Sequence, residues 1–63
     1  MKFITVHLKL NNEKFAVNPM MITAVKPLKE GGTRIYYTLL SQHDDITEDY
    51  DTLLMRINDA LED

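Results

Sequence analysis

The chain predicts an α+β fold: a small, curled, mainly antiparallel sheet of four to five strands, packed by one C-terminal α-helix. Three observations predict it. The charge changes sign near residue 43, with residues 1–43 carrying a net +4 and residues 44–63 a net −7, within a total of −3. Ahead of that boundary the apolar residues recur with period two, the signature of half-buried strands. Beyond Thr47 they recur at helical spacing. Sixty-three residues make a single domain spanning 1–63, a mildly basic sheet followed by one acidic helix.

The elements follow in order. From Lys2 to Leu10, Ile4, Val6, Leu8 and Leu10 point one way and Phe3, Thr5, His7 and Lys9 the other. Asn11-Asn12 makes the turn, because asparagine tolerates left-handed backbone angles. Lys14 to Val17 returns as a second strand. Asn18-Pro19 stops it: Asn18 caps a helical turn over Met20-Met21-Ile22, and Pro19 suits a first helical position that needs no N–H. Thr23 to Leu28 resumes as a strand, with Pro27 placing that end at a sheet edge. Glu30-Gly31-Gly32 forms the second hairpin turn. Thr33 to Leu40 is the longest β-prone run and carries large apolar groups on both faces, as a central strand or one meeting a partner does. Ser41 to Asp45 reads as a polar loop, with a brief strand at Asp45–Ile46.

Thr47 is the expected N-cap of the helix, with Glu48, Asp49 and Asp51 in the first turn, where negative charge meets the positive end of the helix dipole. On a wheel of about 100° per residue, Tyr50, Leu53, Leu54, Ile57 and Leu61 form one stripe and Met55 falls nearly opposite. The expected core is Ile4, Val6, Leu8, Phe15, Val17, Ile22, Val25, Ile35, Tyr37, Leu53, Leu54, Ile57 and Leu61.

Size constrains the chain further. So short a domain buries only about 60% of the surface its unfolded form exposes, so its stability is marginal. There is no cysteine to form a disulfide or a thiolate metal site. Small domains without such staples often gain stability by oligomerising, so a homo-oligomer is expected. No apolar run approaches the roughly 20 residues that cross a membrane. Met-Lys-Phe-Ile-Thr-Val-His has no long apolar segment of the signal-peptide kind, which points to the cytoplasm. The acidic balance disfavours bulk attraction to nucleic acid, while the +4 of the first part keeps a local basic face available.

Several motifs invite a chemical reading. The acidic run from Asp44 to Asp51 lacks the glycine and the spacing of a calcium loop, and helix-start acids account for it. His7 and His43 are too few for a zinc site and read as solvent-facing groups. Ser41 lies two residues from His43, with no motif to support a triad. Gly31-Gly32 precedes a strand rather than a helix and lacks phosphate-loop spacing. No enzyme, metal or cofactor is therefore expected. Tyr36 and Tyr37, with Phe3, Phe15 and Arg34, suggest an aromatic-basic surface of the kind that binds single-stranded nucleic acid. Met20, Met21 and Met55 suit a protein contact surface, because methionine is apolar and adaptable.

The order of these features resembles the small FlbD-like flagellar and swarming-motility proteins. Those run as a strand, a Leu-Asn-Gly turn, a strand ending before Asn, a short segment ending in Ile, a Thr-rich hairpin strand and a Glu-containing helix start. The matching residues are Leu10-Asn11, with Asn12 in place of the glycine, then Val17-Asn18, Met21-Ile22, Gly32-Thr33 and Glu48. The layout covers nearly the whole chain. It departs from the family at Leu40 to Asp45, where the family has another Asn-Gly hairpin and a Val-containing strand, and its helix start is more acidic. The resemblance implies a non-enzymatic accessory role with no catalytic residue to carry over.

The expected function is a cytoplasmic interaction module without catalysis, self-associating or binding another protein through Met20, Met21, Arg34, Tyr36 and Met55. A basic sheet on one copy would meet an acidic helix on another, so added salt would weaken the oligomer. The alternative is a nucleic-acid-binding sheet domain using Lys9, Lys14, Lys26, Arg34, Tyr36 and Phe3.

Overall fold

The computed structural model describes residues 1–38 and 41–62. The elements are β1 (Ile4–His7), β2 (Lys14–Val17), a 3-10 turn (Pro19–Met21), β3 (Ile22–Pro27), β4 (Thr33–Tyr37), β5 (His43–Ile46) and α1 (Tyr50–Glu62). Leu39 and Leu40, the expected end of the long strand, lie outside the described residues.

The α+β class holds, but the strands form two antiparallel sheets, β1-β2 and β3-β4-β5, rather than one curled sheet of four to five. The two meet at a single bridge, Leu8 opposite Ile46, closed by Lys9 N–H to Asp45 O and Thr47 N–H to His7 O, both 2.9 Å. The ladder stops there because the chain leaves β5 for the helix. The rest of the β1 edge is then served by side chains: Glu48 accepts the His7 N–H and Arg56 donates to the Thr5 carbonyl.

Local chemistry sets each turn. Asn12 has φ 60, and both Asn12 and Glu13 face Leu8: Asn12 N–H donates to Leu8 O and Leu8 N–H to Glu13 O. That is a bulge whose first residue must be left-handed, a place glycine or asparagine fills. The Asn18 side chain accepts the Met20 N–H at 3.0 Å, and Pro19 opens the 3-10 turn, as its ring geometry predisposes. Ile22, expected inside the turn, instead opens β3.

The helix begins later than Thr47 suggests. Asp49 is the cap, its Oδ2 accepting from the Asp51 and Thr52 N–H groups at 3.2 and 3.5 Å. Thr47 is held by its bond to His7, and Glu48 is drawn sideways to the same residue, which leaves Asp51 as the acid of the first turn.

Ile4, Val6, Val17, Ile35, Ile46, Leu53 and Ala60 form the buried core, with Phe15, Ile22, Val25, Tyr37 and Ile57 packed against it. Ile46 and Ala60 replace Leu8, Leu54 and Leu61 of the expected set. Ile46 is sealed because it pairs into both sheets, opposite Thr33 and opposite Leu8. At the helix end Lys2 N–H donates to Ala60 O, an approach that a small side chain permits, and Leu61 is left 44% exposed.

Candidate functional site

The most organised polar cluster ties the two sheets to the helix. Glu48 grips His7 twice: Oε1 accepts the backbone N–H at 3.0 Å and Oε2 lies 2.8 Å from ring Nδ1. Burial pushes the Glu48 carboxyl up, but the ring and backbone hydrogen bonds from His7 outweigh it and hold the group below its ordinary value. The Glu48 carbonyl accepts the hydroxyl of Thr33 at 2.8 Å, and Thr33 is fully buried. Next to it, Gly32 has φ +86 and lies so close to β5 that a Cβ there would overlap the Ile46 carbonyl oxygen. His7 is therefore a structural partner rather than a free surface group. Residues 7 and 48 are 41 apart in sequence, so no local pattern announces the pair.

The outward face of the three-stranded sheet carries Lys26, Arg34, Tyr36, His43 and Asp45, as the registers Lys26–Arg34, Arg34–Asp45 and Tyr36–His43 require. Arg34 binds Asp45 bidentately, Nε to Oδ1 at 2.7 Å and Nη2 to Oδ2 at 3.2 Å. That bond raises the guanidinium and holds the Asp45 carboxyl below its usual range. Lys9 reaches Glu30 at 3.2 Å and the Gly31 carbonyl at 2.6 Å. The Tyr36 and His43 rings are tilted, with centroids 5.8 Å apart. Beside them run two shallow grooves, of about 420 Å³ along Leu8–Leu10 and His43–Asp45, and about 350 Å³ along Tyr37 and Ser41–Asp44. Tyr37 Oη donates to Asp44 Oδ2 at 2.6 Å; burial first, and that bond second, push the phenol up. The expected aromatic-basic surface is thus divided. Phe15 and Tyr37 pack on the core, while Lys9 and Arg34 are paired with acids of the same chain.

Seven large hydrophobic side chains are exposed among the described residues: Met1, Phe3, Leu10, Met20, Met21, Met55 and Leu61. The topology gathers five of them. Ile4 pairs with Val17, so Phe3 lies at the end where β2 runs into the 3-10 turn of Met20 and Met21. That turn packs against α1, and the Lys2–Ala60 hydrogen bond brings Met1 and Phe3 to the helix end that carries Leu61. The segments that carry these five residues therefore meet at one end of the molecule, an apolar pole.

The five expected contact residues therefore occupy three places. Met20 and Met21 belong to the pole. Arg34 and Tyr36 lie on the outward sheet face. Met55 sits about 200° round the helix from buried Leu53, on the far side of α1. Phe3, expected on an aromatic-basic surface, and Leu61, expected in the core, join the pole through the Ile4–Val17 register and the Lys2–Ala60 hydrogen bond.

No helix of the described residues is long and apolar enough to cross a membrane. Comparison with protein-family models, with curated proteins and with solved structures finds no match.

Proposed function

We propose that this chain is a non-catalytic, cytoplasmic protein-interaction module that self-associates, an accessory role of the kind the FlbD-like resemblance implies. The observation that carries this is the apolar pole: Met1, Phe3, Met20, Met21 and Leu61, each exposed, on segments that meet at one end of a molecule whose whole surface is 4330 Å². Contiguous exposed apolar surface marks contact sites, and flexible methionines adapt to a partner. A standard interface takes about 800 Å² from each partner, about a fifth of this surface. A second copy is the favoured occupant because a small, cysteine-free domain gains stability by burying such a pole.

The nucleic-acid reading has less support, since Lys9 and Arg34 already face Glu30 and Asp45. The same pairing weakens the charge-driven mode of association.

Sedimentation velocity over a concentration series tests the proposal. The expected result is a monomer–oligomer equilibrium that shifts to monomer in the variant Met20→Glu/Met21→Glu. A chain that stays monomeric throughout, yet quenches on titration with a labelled single strand at low salt, would reverse the order of the two readings.

A further inference from the structure

The two outer edges of the sheets differ. In an antiparallel ladder alternate residues turn their N–H and C=O to the neighbour and the others turn them away. Leu8 N–H bonds to Glu13 O, so Val6–Phe15 and Ile4–Val17 are the hydrogen-bonded pairs of β1 and β2. Lys14 and Ala16 then direct both backbone groups outward, to an edge that nothing among the described residues covers. Both residues are exposed. The β3 edge is protected by contrast. Pro27 has no N–H to offer there, and the register shifts between Ile22 and Ala24. Both devices blunt an edge against pairing. β2 has neither.

We infer that two copies pair antiparallel along β2, about a two-fold axis through Phe15. This deepens the self-association proposed above and rests on it. Only residues that both turn outward can share hydrogen bonds, so three registers are available. One centred on Lys14 sets two lysines directly opposite each other, which is repulsive. One centred on Ala16 sets Lys14 against Asn18, whose carbonyl already accepts the Met21 N–H. The register centred on Phe15 sets Lys14 against Ala16 of the second copy, and Ala16 against its Lys14. Four backbone hydrogen bonds form, no like charges are directly opposed, and the two Phe15 rings meet across the axis.

The same axis accounts for the most exposed apolar side chain. Leu10, 92% exposed at the β1–β2 turn, lies five residues before Phe15; Met20 lies five after it. Antiparallel pairing brings the Leu10 turn of each copy toward the Met20-Met21 turn of the other. Each copy's apolar pole is then covered in part by the exposed Leu10 at the opposite end of the other copy's hairpin.

The test uses Ala16→Pro in the full chain. Proline is tolerated where the N–H faces outward on an edge strand, so the monomer is expected to keep its circular dichroism, while both Ala16 donors at the axis are lost. The dimer dissociation constant, measured by sedimentation, should rise by about tenfold or more. In the unaltered chain the Lys14 and Ala16 amides should gain protection from hydrogen exchange as concentration rises. A dimer that is undisturbed by Ala16→Pro, or whose Lys14 and Ala16 amides exchange as in the dilute monomer, overturns pairing along β2 and leaves self-association standing. An unaltered chain that never dimerises overturns both.

Discussion

Replacing Gly32 by alanine should be the most damaging single-methyl change in the molecule. Two effects add. With φ +86 the residue sits where an L side chain is strained, by roughly 1–2 kcal/mol. The new Cβ would also overlap the Ile46 carbonyl oxygen and lie 3.5 Å from the Ile46 carbonyl carbon and 3.7 Å from Thr47 Cα. All three are backbone atoms. Ile46 is fully buried and paired on both sides, with Thr33 and with Leu8, so β5 has little freedom to retreat. Forcing it back should bring the total loss to about 3 kcal/mol or more, in line with overpacking penalties. A domain of this length has only about 3–9 kcal/mol to lose. The adjacent glycine supplies the control. Gly31 has φ +102 but nothing within 4 Å of its would-be Cβ, so Gly31→Ala carries the strain alone. Urea denaturation of both variants separates the terms. Equal losses in the two would refute the claim that Gly32 is required by its closeness to β5.

Three further outcomes are expected. Glu48→Ala leaves the His7 N–H and ring without their acceptor and should lower unfolding free energy by about 1–3 kcal/mol in urea melts, with the His7 ring resonances moving toward free-imidazole positions. Glu48 and Asp45 are both held below their ordinary values of 4.5 and 3.8, so the stability they contribute is present above those values and is lost as pH falls through the lower, folded ones. Urea midpoints should therefore drop on acidification below about pH 4.5, and Glu48→Gln should make that drop shallower. At the first hairpin, Asn12→Val should lower stability by about 1–2 kcal/mol, because a β-branched residue resists φ 60, while Asn12→Gly stays within about 0.5 kcal/mol of the unaltered chain in the same assay.

What was legible in the sequence is what local physics decides. The alternation of Ile4, Val6, Phe15 and Val17, the Asn12 turn, the Asn18-Pro19 cap, and Leu53 and Ile57 of the helix stripe all depend on neighbours a few residues away, and each took its place. The rest depends on distant partners. β5 is a four-residue strand although His43, Asp44 and Asp45 have poor strand propensity, because β4 on one side and Leu8 on the other supply the pairing. Thr47 and Glu48 have the chemistry of a helix start, but His7 claims both. Of the candidate contact residues, Met20 and Met21 were visible by type alone; that Phe3, Met1 and Leu61 share their pole required the Ile4–Val17 register and the Lys2–Ala60 contact.

The seam between the two sheets also sets the order of assembly. Each hairpin closes on itself through a turn of a few residues, a quick event on the microsecond scale. The seam joins His7 to Glu48, 41 residues away, and closing so long a loop is entropically slow. Folding should then divide into early local hairpins, β1-β2 in one sheet and β3-β4 and β4-β5 in the other, and one late docking step that brings Ile46 against Leu8 and lets the helix settle. Substitutions at Asn12 would change how often the first hairpin exists and those at Gly32 how well β5 pairs with β4, whereas those at Glu48 would act on the docking itself.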